Sequence, residues 1–249
     1  MSKAVVVVPT YNEIENIERL LRTIFSLQRE FHVLVVDDNS PDGTAQAVEA
    51  NFNNYPDKLF MLQRAEKTGL GSAYIAGFKW ALDKGYDYVF EMDADFSHNP
   101  NDLIRLFNAC YKEDNDMAIG SRYVKGVNVV NWPMSRVLLS WLASKYVRFV
   151  MGMDIYDTTA GFICYKRSVL QKINLDKIRF VGYAFQIEMK FKAHISKFKI
   201  KEVPVIFTDR TKGESKMSSG IISEAIFGVI AMKLKSVFNR KKFNETSFH

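Results

Sequence analysis

Five short runs rich in β-branched and aromatic residues alternate with amphipathic stretches over the first half of the chain, and this rhythm restricts the possible folds more than any other feature. Ala4–Val8 precedes Ile14–Leu27, His32–Val36 precedes Thr44–Asn53, Leu59–Gln63 precedes Gly71–Asp83, Tyr86–Met92 precedes Asn101–Tyr111, and Met117–Gly120 closes the series. Strand–helix–strand repeats of this kind build an α/β fold with a mostly parallel sheet flanked by helices on both faces. Ligands of such sheets gather at the carboxyl ends of the strands, so the residues that leave each apolar run are the ones to weigh.

Those residues form polar clusters, each with at least one acid. Pro9-Thr10-Tyr11-Asn12-Glu13 follows the first run, Asp37-Asp38-Asn39-Ser40-Pro41-Asp42-Gly43 the second, and Asp93-Ala94-Asp95-Phe96-Ser97-His98 the fourth. Asp93 and Asp95 are spaced i, i+2, which on a straight strand brings two carboxylates to one face. Hard divalent cations and the phosphates they carry suit that pair, although a polar loop after a strand reads the same way from the motif alone. With a nucleotide diphosphate-sugar as ligand, Asp95 would ligate the ion, Ser97 would add a neutral oxygen, and Asp93 would face the ribose or diphosphate.

Composition bounds the rest. The chain has 249 residues, 47% of them hydrophobic, enough to bury the core of one large α/β domain. Cys110 and Cys164 show no metal-ligand spacing or pairing pattern, which suggests a reducing, cytoplasmic setting. No signal peptide is expected, because the N-terminal valine run is short and stops at Pro9. The formal net charge of +6 suits an anionic partner, but no nucleic-acid-binding module is recognisable and no nucleic-acid partner is expected.

After Gly120 the rhythm changes. Arg136–Met151 carries Leu138, Leu139, Leu142, Tyr146, Phe149 and Val150 on a helical stripe with Lys145 and Arg148 and no acid. Ile221–Lys242 repeats the pattern with Ile222, Ile226, Val229, Ile230, Leu234 and Val237 beside Lys233, Lys235 and Arg240. Both read either as core-packing helices or as basic amphipathic helices lying in a membrane interface. The expected organisation is a catalytic domain over residues 1–220, with a nucleotide half to residue 120 and an acceptor half beyond it. A basic amphipathic helix and tail follow over 221–249.

The blocks above, together with Arg64, Lys67-Thr68-Gly69-Leu70-Gly71, Gly120-Ser121-Arg122-Tyr123, Trp132 to Arg136, Asp157-Thr158-Thr159-Ala160-Gly161-Phe162 and Arg210 to Lys216, give the chain a specific likeness along almost its whole length. It resembles the family 2, GT-A type glycosyltransferases, and within them the dolichol-phosphate or polyprenol-phosphate mannosyltransferases. The resemblance implies Pro9, Tyr11 and Glu13 near the nucleobase, and Val36 and Asp38 beside base and ribose. It also implies Asp93, Ala94, Asp95 and Ser97 around a Mg²⁺ or Mn²⁺ ion and the diphosphate. Asp37 is expected to be structural, since neighbouring strand residues face opposite ways. Gly69-Leu70-Gly71 either presents amides to an anion or allows close helix packing.

By the same resemblance, Arg122, Arg136 and Arg210 handle phosphate and Lys216 closes over the donor; Gly213 would hinge a loop that orders when donor and metal bind. Glu188 organises the sugar or an arginine. A polyprenyl phosphate is itself an anionic nucleophile, so positioning and charge stabilisation by Asp95 and the three arginines would carry the catalysis without a strong base. GDP-mannose is the expected donor and UDP-glucose the competing one. A non-catalytic nucleotide-binding adaptor is the alternative outside enzymology. The expected location is peripheral at the cytoplasmic face of a membrane, with a membrane-protein partner as another route to the lipid.

Overall fold

Ala4, Val5, Val6, Val7 and Val8 are all buried, as a central strand covered on both faces requires. Alternation then divides them: Val5 and Val7 join one hydrophobic cluster with Leu34 and Val36 of the next strand, whereas Ala4, Val6 and Val8 join another with Val33 and Val35. The sheet is thus a septum between two cores.

The computed structural model describes residues 2–182, 184–209 and 228–236. In chain order the elements are β1 (Ala4–Thr10), α1 (Ile14–Phe25), β2 (His32–Asp37), α2 (Thr44–Glu49), β3 (Leu59–Gln63), α3 (Leu70–Asp83), β4 (Tyr88–Glu91) and α4 (Asp102–Tyr111). They continue with β5 (Met117–Ser121), β6 (Val129–Val130), α5 (Met134–Met151), β7 (Ile163–Lys166), α6 (Arg167–Lys172), α7 (Ala184–Ile195), β8 (Ile200–Pro204) and β9 (Phe207–Thr208). The main sheet has the order β3-β2-β1-β4-β7-β5-β8, and β6 pairs with β9 apart from it. Every pairing in the main sheet is parallel except those of β7, which runs antiparallel between β4 and β5.

Helix placement follows the apolar periodicity. Ile17, Leu20, Leu21 and Ile24 of α1 and Leu103, Leu106, Phe107 and Cys110 of α4 cover one face; Ala73, Tyr74, Phe78 and Ala81 of α3 cover the other. At Gly77 a Cβ would come within 2.4 Å of Val7, so α3 lies against β1 at a distance that only glycine permits. The alternation expected over the first half matches the observed order of elements. The antiparallel β7 was not legible, because a four-residue strand carries little periodic signal.

The two expected amphipathic helices divide their apolar residues. On α5, Ser144, Val147 and Met151 are buried, whereas Leu138, Leu139, Leu142 and Phe149 are exposed, Phe149 at 89%. Residues 228–236 are helical, with Val229 and Met232 in the core and Ile230 and Leu234 exposed. Lys233 Nζ donates to Met151 O at 2.8 Å and so caps the end of α5. Ile222, Ile226 and Val237 lie outside the described residues.

Candidate active site at the carboxyl rim

Loops leaving β1 and β2 are bound to each other before any ligand arrives. Asp37 is wholly buried and accepts hydrogen bonds from Thr10 Oγ1 at 2.8 Å, Ser40 N at 2.9 Å and Ser40 Oγ at 2.6 Å. Asn12 N donates to Ser40 Oγ, Glu13 N to Thr44 Oγ1 and Ile14 N to Asp42 Oδ2. Asp42 also accepts from the backbone and hydroxyl of Thr44, so one carboxylate serves the first turns of α1 and α2. Burial alone would raise its pKa, but these bonds and that of Ile14 hold it below the usual value. Asp37 thus has the structural role expected of it, and Asp42 acts as a cap.

Asp38 faces the other way. Its backbone N–H donates to Thr10 O, and Arg64 Nε lies 3.3 Å from its Oδ1. Burial raises its pKa, partly offset by Arg64. Arg64 also donates to Ser72 Oγ at 2.9 Å and to Thr68. Lys67 Nζ sits 4.1 Å above the ring of Tyr11, so the segment after β3 closes on the β1 loop. The Val36 side chain is in the core, so a contact with base or ribose would come from its backbone. Pro9 is its partner across the ladder, and Ala94 is likewise packed into a hydrophobic cluster.

The Asp93–Ser97 segment lies beyond the end of β4, so its two carboxylates are placed by a loop and not by strand alternation. Asp93 Oδ1 accepts from Tyr74 Oη at 3.0 Å, and Asp93 N donates to His98 Nδ1 at 3.3 Å. Asp95 Oδ1 accepts from Ser97 N at 3.0 Å, closing a turn around Phe96, whose φ is +58°. The buried Ser97 Oγ has no hydrogen-bond partner, as suits an oxygen held for a cation. Among the described residues no group of three or more His, Cys, Asp or Glu side chains is gathered to hold a metal. Two carboxylates and a hydroxyl fit a hard ion whose remaining ligands come from phosphate and water.

His98 is buried in the aromatic floor of this region, its ring stacked on Phe162 with centroids 4.9 Å apart and edge-on to Phe207 at 5.4 Å. Burial lowers its pKa to about 4, so it stays neutral and accepts the Asp93 N–H. This is the structural role its place before Asn99-Pro100 suggests.

Arg122 departs from expectation. Its Nε and Nη2 donate to Asp157 at 2.7 and 2.6 Å, its backbone N–H donates to the same carboxylate at 2.9 Å, and Nη2 reaches Thr159 Oγ1 at 2.8 Å. The bidentate fork assigned to phosphate is therefore occupied by Asp157. Burial would raise the Asp157 pKa, yet Arg122 holds it below the usual range. Arg136, in the first turn of α5, remains half-buried at the rim; it donates to Asp209 at 2.9 Å and stacks on Trp132 at 4.0 Å. Arg210, Gly213 and Lys216 lie outside the described residues.

Two further readings resolve. Gly71 N donates to Val181 O at 2.8 Å, and a Cβ on Gly71 would meet Phe185 at 2.7 Å. Gly69-Leu70-Gly71 thus allows close packing, and the Gly71 amide does not face an anion. Glu188 accepts from the backbone N–H groups of Arg179 and Phe180 and pairs with Lys192 at 3.1 Å, so it organises the 179–180 backbone and not an arginine side chain.

Beneath the rim lies a buried polar chain in which Glu91, Tyr165 and Lys190 had no role expected from the sequence, while Gln186 lies where the resemblance puts the acceptor side. Glu91 accepts from Tyr165 Oη at 2.8 Å and Gln186 Nε2 at 2.5 Å, and Lys190 Nζ donates to Ala160 O at 2.6 Å and Gln186 O at 3.3 Å. Burial raises Glu91 to about 7 against the pull of its donors, and burial lowers Lys190 to about 8 against the pull of Glu91 and Asp157. The available signal was a charged residue ending the apolar run Tyr88–Glu91, with Gln186 and Lys190 one helical turn apart on α7.

Comparison with known proteins follows the same geometry. The pattern of Glycosyl transferase family 2 matches residues 5–174. Polyprenol monophosphomannose synthase of Mycolicibacterium smegmatis is 43% identical over 240 residues, covering 96% of this chain and 90% of that one. Undecaprenyl-phosphate mannosyltransferase of Micrococcus luteus is 45% identical over 227 residues, covering 91% and 92%. Among solved structures, mannosyltransferase PcManGT from Pyrobaculum calidifontis, in complex with GDP-Man and Mn²⁺, superposes with a TM-score of 0.59 at 21% identity, covering 86% of this chain and 58% of that one. Glucosyl-3-phosphoglycerate synthase from Mycobacterium tuberculosis reaches 0.69 at 16% identity, covering 93% and 80%, and these two likenesses concern the fold.

Proposed function

Because the chain belongs to glycosyl transferase family 2, we propose that it transfers mannose from GDP-mannose to a polyprenyl phosphate, inverting the anomeric carbon in a single displacement. The observation that carries this reading is the likeness, at 43% and 45% identity over 96% and 91% of the chain, to two proteins named for joining mannose to a polyprenyl phosphate. The donor-side loops support it by assembling the expected residues on one rim.

In this reading Tyr11, with Lys67 on its ring, receives the nucleobase together with Glu13 and the Pro9 backbone, and Asp38 receives the ribose. Asp95 and Ser97 would hold a divalent ion, Mg²⁺ or Mn²⁺, with Asp93 towards the nucleotide. That ion would neutralise charge on the departing diphosphate. Arg136, oriented by Asp209 and Trp132, guides the acceptor phosphate, which is largely ionised near neutral pH because its second pKa is about 6. Arg122 contributes from its ion pair with Asp157 by fixing the floor of the site and adding positive field. Arg210 and Lys216 complete the phosphate-handling set.

No helix among the described residues is long and apolar enough to cross a membrane. The exposed Leu138, Leu142 and Phe149 of α5, with Lys145 and Arg148 beside them, support peripheral docking on an anionic bilayer. The deciding experiment is a radiolabelled-donor screen against short polyprenyl phosphates with Mg²⁺ and with Mn²⁺. Mannolipid formed from GDP-mannose is the expected result, and glucolipid formed only from UDP-glucose would overturn the donor assignment.

A further inference from the structure

Asp93 has no strand to hold it. The ladder of β4 ends at Glu91, and the following residues form a loop in which a carboxylate would ordinarily rotate about both side-chain torsions. One hold on its carboxylate comes from outside the loop. Tyr74, wholly buried on α3, donates its hydroxyl to Asp93 Oδ1 at 3.0 Å, and the Asp93 N–H is taken by His98.

Tyr74 is itself fixed. Its ring lies parallel to Phe185 of α7, with centroids 6.0 Å apart and planes at 4°, and stacks on Phe78 at 6.0 Å. One turn before it on α3, Gly71 meets the same Phe185 and donates to Val181 O at 2.8 Å. A buried phenol hydroxyl deprived of its acceptor is left unsatisfied in the interior, so the bond to Asp93 is a strong restraint on both partners.

We propose that Tyr74 is a positioning residue for donor binding, which fixes the Asp93 carboxylate and ties its orientation to the packing of α3 against α7. The inference rests on the reading of Asp93 as a donor-side residue. Its consequence is specific: loss of the hydroxyl weakens the hold on metal and nucleotide together, while the chemical step, once donor is bound, proceeds at nearly its normal rate.

The test is Tyr74→Phe, with Tyr165→Phe as a matched loss of a buried phenol hydroxyl and Asp93→Ala alongside. Steady-state kinetics give KM for GDP-mannose and the Mn²⁺ concentration for half-maximal rate; calorimetric titration of GDP with Mn²⁺ gives affinity without turnover. For Tyr74→Phe we expect KM and Kd to rise about tenfold with kcat within about twofold. Tyr165→Phe should leave both constants unchanged. Wild-type constants in Tyr74→Phe, with Asp93→Ala impaired, would overturn the inference and leave the role of Asp93 standing. Equal rises in both tyrosine variants would show general loosening and also overturn it. Wild-type donor affinity in Asp93→Ala would overturn the reading of Asp93 and this inference with it. Should Tyr74→Phe fail to fold, Phe185→Leu keeps the hydroxyl but removes the ring beside it; a smaller rise in KM is expected, and an unchanged KM would count against the proposal.

Discussion

The rim formed by the β1 and β2 loops and the side formed by α5 solve opposite problems. On the rim, Thr10, Asn12, Glu13, Asp37, Ser40, Asp42 and Thr44 bond to one another, so the loops hold one shape without a ligand. On α5 the helix is regular for 18 residues but leaves Leu138, Leu139, Leu142 and Phe149 in solvent. Preorganised polar loops suit a soluble nucleotide, whose recognition depends on fixed donors and acceptors. An apolar face with cations beside it suits a ligand that arrives in a bilayer. The contrast teaches that one chain can hold one region by hydrogen bonds between its own loops while leaving another region's apolar side chains uncovered.

The largest expected effect would break the donor side alone. Asp95→Ala should lower turnover by at least about a thousandfold, as for loss of a principal charge-stabilising element, while thermal unfolding stays at the wild-type temperature. A radiolabelled GDP-mannose assay together with a melt reads both, and a folded, fully active variant would sink the metal assignment.

Next comes the pair Asp37 and Asp38, adjacent in sequence and opposite in role. Asp37→Ala strands the Thr10 and Ser40 donors in the interior and should cost about 3 kcal/mol in urea denaturation. Asp38→Ala should cost little stability but raise KM for GDP-mannose about tenfold. Reversed outcomes would show that the strand alternation was misassigned.

On the acceptor side, replacing Leu138, Leu142 and Phe149 together by serine should weaken sedimentation with anionic vesicles by tenfold or more, since each exposed apolar side chain buried in the interface is worth about 1 kcal/mol or more. Activity on a short, water-soluble acceptor should be unchanged. Vesicle binding equal to wild type would place the docking surface elsewhere.

The smallest effect concerns the floor beneath both regions. Glu91, raised to about 7 by burial, contributes stability that is fully present below its unfolded value near 4.5 and is lost as pH rises through about 7. His98, lowered to about 4, has the opposite sign: its contribution is present above about 6.5 and lost as pH falls through 4. Glu91→Gln should therefore remove a decline of at most about 1.4 kcal/mol per pH unit on the approach to pH 7 while the His98 slope at acid pH stays. Denaturation midpoints at half-unit pH steps would reveal it, and identical slopes in both proteins would mean that Glu91 is not titrating there.

Much of this was legible without coordinates. Ala4–Val8 reads as a strand buried on both faces because nothing in it is polar, and the acidic clusters after β1, β2 and β4 lie at carboxyl ends because helices separate those strands. Alternation said that Asp37 and Asp38 could not both face a ligand, and the family likeness assigned the ligand to Asp38. Alternation did not reach Asp93 and Asp95 beyond β4, because the ladder stops at Glu91 and a loop bond from Ser97 takes over. The Arg122 pairing was out of reach for a related reason: its fork could suit phosphate or carboxylate, and only the fold brings Asp157, 35 residues away, within 2.6 Å.

The sequence by itself determined the α/β order, the rim on which ligands collect and the chemical kinds of residue placed there, because these depend on local periodicity and on which groups must avoid the core. Only the tertiary structure decided that β7 runs against its neighbours, that Asp157 occupies Arg122, that Glu91 and Lys190 lie buried beneath the site, and that Tyr74 reaches Asp93. Each of those depends on contacts between segments remote in the chain, where burial and a specific partner, rather than local pattern, set what a charged or polar group does.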